Sequence, residues 1–366
     1  MTTNSKSRST NHLSKHFPNR SLFLGGLVIS LWLTTCASPP VATPPSQVPQ
    51  VTSTPSIVLT EMRATRPWRI AFVPKFKFLG ETGKLSSYWQ PAWEGAEKAG
   101  RDFNVTVELV TSNVRGNSDA DYVEPQIRLI AGLIQRGDVD GLVIAPFDSN
   151  RLAPVVDKAI SAGIPTIAMD TPVNSDRLLT CVMFDNFTAG RVVGEWVVKQ
   201  LGKRGKALIL EGPPDQQNAL DRRNGFLAGL QTGDIDVLDA RSADWEIEPA
   251  RQITAAWLPN YADIDAILAA NDNMALGAAQ AVAEARRPGI IITGFDATDA
   301  GLAAIQAGQV SATIDQAPGK QARLAVQLLV RHLEKGEKFP PTIFLSEIPL
   351  VTKENVGDYL SQKGLK

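Results

Sequence analysis

From residue 69 to residue 314 the chain alternates short apolar, β-rich runs with longer segments of helical period. That alternation admits little besides stacked βα units with parallel sheets. The runs lie at 69–73, 105–110, 141–145, 165–169, 179–184, 207–211, 266–270, 290–294 and 311–314. Many are apolar throughout rather than at every second residue, as strands buried on both faces require. Between 91 and 103, Ala92, Ala96, Ala99 and Phe103 recur at spacings of four, three and four, one face of a helix. Pro91 suits the first turn of that helix, where a missing N–H is harmless. Asp148-Ser149 and Asn271-Asp272-Asn273 supply capping side chains before further helices, and Gly163 and Gly202 stand where helices should stop. More than one comfortable core is needed for a region of about 300 residues, so two doubly wound sheets of about four to six strands each are predicted.

In such sheets ligands bind beyond the carboxyl ends of the strands, where loops and helix N-termini converge. The polar residues that follow the apolar runs are therefore the candidates: Asp170, Asp185, Asn271, Asp296 and Gln316. Each carries a side chain able to bind hydroxyl groups. Asp and Asn are also common turn residues and helix caps, so the set matters more than any member.

The first 35 residues hold Lys6, Arg8, Lys15 and Arg20 with no Asp or Glu, then an apolar run at 22–33 that is too short to span a bilayer. This is the shape of an export signal. Its end, Leu33-Thr34-Thr35-Cys36, resembles a bacterial lipobox, which implies lipidation of Cys36; Thr35 departs from the usual Gly, Ala or Ser. Plain cleavage near Ala37 and a retained anchor are the rival readings, and all three put the rest of the chain outside the cytoplasm. Residues 36–66 are rich in Pro, Ser, Thr and Val and predict a disordered tether. Net charge is −1, and about −5 once the four basic residues of the signal are gone. With no Lys/Arg cluster, nucleic acid is not an expected partner. A lipidated Cys36 leaves Cys181 without a disulfide partner, and its apolar neighbours make it a core residue. His12, His16 and His332 form no metal-ligand cluster, and neither metal nor cofactor is expected.

Several segments, taken together, resemble the periplasmic sugar-binding proteins of the ribose-binding type. They are Val139-Asp140-Gly141-Leu142-Val143-Ile144-Ala145-Pro146, Ala162-Gly163-Ile164-Pro165-Thr166, Phe184-Asp185-Asn186 with Gly190, and Arg222 with Gly225-Phe226. Ala270-Asn271-Asp272 with Met274-Ala275-Leu276-Gly277, Gly294-Phe295-Asp296, Ala312-Thr313-Ile314 with Gln316, and Pro349-Leu350-Val351-Thr352 continue the match. The likeness implies two α/β lobes joined by a three-crossover hinge with the ligand cleft between them. The first lobe would take residues 67–184 plus 317–345, the second 185–316 plus 346–366.

Carried over by position, Asp170, Arg222, Asn271, Asp296 and Gln316 correspond to the family's hydroxyl-binding residues. Tyr88, Trp89 and Trp245 correspond to aromatic residues that pack on a sugar ring. Trp93 is expected inside the lobe. Two departures stand out. Thr171-Pro172 follows Asp170 where many members have arginine, and the loop from Lys75 to Ser87 is longer than usual, with Lys75, Lys77 and Lys84 expected in solvent. The resemblance implies a monomeric solute-binding lipoprotein that hands a sugar-like ligand to the permease subunits of an ABC transporter, in the periplasm or on the outer face of the cell envelope. The alternative is a sensor that docks on a membrane receptor or histidine kinase. No nucleophile–base pair, metal set or phosphate loop supports an enzyme. The same fold in repressors carries a DNA-binding headpiece, whose place is taken here by signal and tether.

Overall fold

Runs such as Gly141-Leu142-Val143-Ile144 and Ala266-Ile267-Leu268-Ala269 are buried at every residue, so neither face of these strands can meet water. Parallel sheets covered by helices on both sides satisfy that demand. A computed structural model describes residues 60–75, 88–112 and 120–362. The predicted signal, Cys36, residues 37–59 of the predicted tether, and Lys77 and Lys84 lie outside the described residues.

The first sheet is built from β1 (Arg69–Val73), β2 (Thr106–Leu109), β3 (Gly141–Ile144), β4 (Thr166–Met169), β5 (Thr180–Phe184) and β11 (Thr342–Leu345), in the order β11-β5-β4-β3-β1-β2. All of its pairings are parallel. The second comprises β6 (Arg204–Glu211), β7 (Asp234–Ser242), β8 (Ala266–Ala269), β9 (Ile291–Thr293), β10 (Ala312–Ile314) and β12 (Leu350–Thr352), in the order β12-β10-β9-β8-β6-β7. Strand β12 runs antiparallel, against β10. The chain crosses between sheets after β5, after β10 and after β11, which makes two α/β lobes with three connections.

The helices between these strands, in order, are α1 (Trp89–Phe103), α2 (Ala120–Arg136), α3 (Ala153–Ser161), α4 (Asn186–Gln200), α5 (Gln217–Leu230), α6 (Ile247–Trp257), α7 (Asp272–Glu284), α8 (Asp299–Gln306), α9 (Pro318–Lys335) and α10 (Val356–Gln362). Helix α1 buries Ala92, Ala96, Ala99 and Phe103, the face its spacing predicts. It starts two residues before Pro91, which still falls in the first turn. Alternate residues of β1 feed opposite cores: Ile70 and Phe72 join Phe103 and Leu329, while Ala71 and Val73 join Leu142 and Cys181. Burial pushes the Cys181 thiol up to about 12, which fits a packing residue rather than a reactive one.

Three strands, β7, β11 and β12, have no counterpart among the apolar runs. All are edges of their sheets. Strand β7, Asp234-Ile235-Asp236-Val237-Leu238-Asp239-Ala240-Arg241-Ser242, keeps none of its residues fully buried, so charged and apolar side chains alternate and no continuous run arises.

The end of the stretch whose composition predicts a tether makes defined contacts. Residues 60–66 lie against α1 and α9: the Ala64 amide donates to Phe103 O at 2.7 Å, and the Arg331 guanidinium donates to Thr60 O at 2.9 Å. Glu334 accepts from the Thr65 amide at 3.0 Å, the Thr65 hydroxyl at 2.8 Å and the Trp68 indole at 2.6 Å.

Candidate ligand-binding site

The strand ends deliver their side chains on strained backbone. Asp170, after β4, and Asp296, shortly after β9, hold φ at +64° and +111°; Asp244, Trp245, Ala297 and Ala317 are also left-handed. Those are six of the nine non-glycine residues so placed among the described residues. L-residues keep such a conformation only where the surrounding structure imposes it, and such imposition concentrates at functional sites.

On the first lobe the centre is Asp170, 3 % exposed. One carboxylate oxygen accepts from the Tyr88 hydroxyl at 2.8 Å; the other accepts from the Thr171 hydroxyl at 2.9 Å and pairs with the Lys75 ammonium at 3.0 Å. Burial alone would raise this acid. The charges of Lys75 and Arg222, with the bonds from Tyr88 and Lys75, outweigh burial and hold it below the usual carboxylate range. Tyr88 is driven the other way: burial and the nearby charges of Asp170 and Asp296 push its hydroxyl well above normal, so it stays a donor.

On the second lobe the centre is Arg222. Its position follows from two glycine-lined helices, because α4 and α5 approach so closely that a Cβ on Gly190 would lie 2.6 Å from Arg222 O and one on Gly225 2.3 Å from Phe187 O. That approach carries Asn186 to the guanidinium, which donates to Asn186 Oδ1 at 2.8 Å and to Ala270 O at 2.7 Å. The group lies 4.1 Å from the Phe295 ring centre and 5.3 Å from that of Trp245. Asp296 stands 3.6 Å away and accepts from the Gln316 amide. Here burial wins: it lifts the Asp296 carboxyl well above the ordinary value despite Arg222, with Asp272 and Asp170 adding to the rise. Gln316 Oε1 is buried without a hydrogen-bond partner among the described residues.

The two halves meet. Lys75 Nζ donates to Gln216 Oε1 at 3.0 Å across the cleft, and Gln216 also accepts from the Trp245 indole at 3.2 Å. Asn271 caps α7 by accepting from the Met274 amide at 2.9 Å and donates to Trp245 O at 3.2 Å. Tyr88, Asp170, Arg222, Trp245, Asn271, Asp296 and Gln316 are thus joined in one network through Lys75, Gln216 and the Arg222 guanidinium. Trp89 stands apart. It is 7 % exposed in the core of the first lobe, reaching the network only by packing edge-on to Tyr88 at 5.0 Å. Trp93 is half-buried against Phe72 in the same core.

Lys75, expected in solvent, is 8 % exposed and at the centre of the polar contacts. The rule that picked Asp170 would have found it, since it follows β1 with only Pro74 between. Thr171 and Asn186 stand in segments already noted, but their contacts with Lys75 and Arg222 join residues distant in the chain, as does that of Gln216 with Lys75, which no local pattern marks.

Comparison with known proteins gives the family. A family model, the periplasmic binding protein domain, matches residues 78–338. The chain belongs to the periplasmic binding protein family. Among its relatives is the D-ribose/D-allose-binding protein of Pseudomonas aeruginosa, 34 % identical over 66 % of this chain and 76 % of the relative. The xylitol-binding protein of Mycolicibacterium smegmatis is 32 % identical over 74 % of this chain and 76 % of its own length. A solved structure, the ABC transporter periplasmic solute-binding protein of Actinobacillus succinogenes with bound D-allose, superposes with a TM-score of 0.71 at 29 % identity, covering 80 % of this chain and all of that one. The fructose-binding periplasmic domain of a hybrid two-component system is also similar: TM-score 0.71, 26 % identity, 81 % and 94 % covered.

Two further acidic residues of this periplasmic binding protein hold its structure together. Asp185 caps α4 through the Thr188 amide at 2.9 Å. Burial raises Asp272 to about 6 although it accepts from the Thr298 amide and hydroxyl and from the Thr313 hydroxyl. It ties the loop after β9 to β10, and a Cβ on Gly301 would lie 2.2 Å from its Oδ2.

Proposed function

We propose that this periplasmic binding protein holds a neutral sugar or polyol between its lobes and passes it to the permease of an ABC transporter. One observation carries the reading. Two buried carboxylate–cation pairs, Asp170 with Lys75 and Asp296 with Arg222, face one cleft from opposite lobes, beside the unpartnered Gln316 Oε1. Carboxylates, a guanidinium and an amide supply both acceptors and donors, which is what vicinal hydroxyls require. Tyr88 and Trp245 add aromatic surface beside them, suited to the C–H faces of a ring. The relatives named for ribose, allose and xylitol support the same ligand class.

The lobes proposed are 60–184 plus 317–345 and 185–316 plus 346–362, with the start moved from 67 to 60 because those residues pack on α1 and α9. Binding follows closure of the lobes about the three connections, since only the closed form completes contacts from both sides. Lipidation at Cys36 would tether a monomer to the membrane outside the cytoplasm. The similarity to a fructose-binding domain of a two-component system supports a second reading, in which the closed form docks on a sensor kinase.

Calorimetric titration with D-ribose, D-allose, xylitol and D-fructose tests the first reading. Binding of at least one is expected, with affinity lost in Asp296→Ala while its circular dichroism is unchanged. A well-folded, ligand-free chain that takes none of the four would sink the sugar reading, and full affinity in Asp296→Ala would sink the site assignment.

A further inference from the structure

The run Gly212-Pro213-Pro214 follows β6, and its glycine lies against the ring of Trp245. A Cβ on Gly212 would stand 2.2 Å from both Cη2 and Cζ2 of the indole and 2.7 Å from Cε2, so only glycine leaves room for this ring. The prolines that follow stiffen the loop against retreat. Gly212 O accepts from the Ser242 hydroxyl at 3.0 Å, and the Ala243 amide donates to Glu211 O at 2.9 Å, which ties the loop to the end of β7. From there Asp244 and Trp245 are both left-handed, with φ at +53° and +66°, a succession that L-residues keep only under constraint. Part of the constraint acts on the Trp245 carbonyl, which accepts from Asn271 Nδ2 at 3.2 Å and from Asn273 Nδ2 at 3.3 Å. The indole N–H donates to Gln216 Oε1 at 3.2 Å.

We infer that Gly212 and Asn273 are positioning residues: by fixing the Trp245 ring in one place, they make the cleft favour a rigid sugar ring over an open-chain polyol. Neither needs to touch the ligand. A flat surface held through both its ring and its backbone requires no ordering when a ligand arrives, and it matches the C–H face of a sugar ring. An open-chain polyol presents such a face only after its own torsions are frozen, so it gains less from a ring already in place. Asn271 shares the Trp245 carbonyl but also stands among the candidate hydroxyl contacts, so Asn273 is the residue that separates the two roles. The preference rests on the sugar-binding reading, whereas the placement of the ring is measurable without any sugar.

The test uses Gly212→Ala and Asn273→Ala, each with Trp245 present and in a Trp245→Ala background. Fluorine NMR of the chain labelled with 5-fluorotryptophan, its Trp245 signal assigned by loss in Trp245→Phe, is expected to show that signal displaced in both variants. Calorimetry then compares xylitol with D-ribose or D-allose, whichever the wild type takes more tightly. Affinity for the ring sugar is expected to fall about tenfold in Gly212→Ala and about threefold in Asn273→Ala, with xylitol nearly unaffected. Neither variant should have a further effect once Trp245 is alanine. A loss of the same size with and without Trp245 would make the two residues merely structural and overturn the inference. So would an unmoved Trp245 signal in both variants, equal losses for ring sugar and xylitol, or a wild type that prefers xylitol. If the signal moves but the wild type binds none of the three, the sugar reading fails and the placement of the ring stands. Asn273→Ala carries the test alone if Gly212→Ala does not fold.

Discussion

The two lobes bring nearly the same side chain to the cleft and treat it in opposite ways. Asp170 and Asp296 each follow a parallel strand, hold a left-handed φ and have side chains only 3 % and 10 % exposed; the first is held below its ordinary pKa and the second well above. The difference is in the donors. Asp170 has an ammonium at 3.0 Å and two hydroxyls bonded to it, whereas Asp296 has a guanidinium at 3.6 Å that spends its own donors on Asn186 and Ala270 O. Burial raises both, and the geometry of the cation, together with the charges of Asp272 and Asp170 near Asp296, decides whether that rise is offset. The first-lobe aspartate is held toward the ionised form and its counterpart toward the protonated one.

The largest effect that this contrast predicts is on stability. Asp170→Ala strands the Lys75 ammonium in a buried site and is expected to cost about 3–5 kcal/mol in denaturant unfolding, near the upper end for a broken buried pair. Asp296→Ala leaves Arg222 with its two other acceptors and removes a carboxyl that is already reluctant to ionise, so about 1–2 kcal/mol is expected. Equal losses in the two variants would break the comparison.

The pH profiles sharpen it. Asp170, depressed in the folded state, contributes stability that is present above its unfolded pKa of about 4 and is lost as pH falls through the lower folded value. Asp296, raised in the folded state, contributes stability that is present below about pH 4 and is lost as pH rises toward its folded value. Melting midpoints from pH 3 to 8 should therefore lose part of their acid-side fall in Asp170→Asn and part of their decline above about pH 4 in Asp296→Asn. The same slope in wild type and Asp296→Asn would show that burial does not govern that carboxyl.

The smallest effect separates the lobes outside the site. Beginning the chain at Pro67 removes the contacts of residues 60–66 with α1 and α9, and stability should fall by about 1–2 kcal/mol, the scale of one or two hydrogen bonds. Hydrogen exchange should report faster opening of α1 and α9 with α5 and α7 unchanged. A uniform change across both lobes would mean that the two are not independent there.

Much of the fold was legible because the interior strands have to be apolar on both faces, and runs such as residues 141–145 and 266–270 cannot be mistaken for surface. Edge strands escaped: β7 meets solvent and carries Asp234, Asp236, Asp239 and Arg241. The candidate site was legible where a polar residue ends a strand, as with Asp170, Asn271, Asp296 and Gln316. It was misread at Lys75, because a lysine in a long loop is normally solvated and only its neighbours in space explain why this one is buried.

What the amino-acid order determined by itself was periodic and local: which segments become buried strands, where they end, and which polar side chains stand at those ends. The tertiary structure alone decided how those side chains are charged and joined. Lys75 meets Thr171 across 96 residues of chain and Gln216 across 141, and α4 must approach α5 at Gly190 and Gly225 before Asn186 can reach Arg222. Hydrophobic patterning is a property of neighbours along the chain, whereas electrostatic pairing falls off over a few ångströms in space, so only the folded arrangement could assign each buried charge its partner.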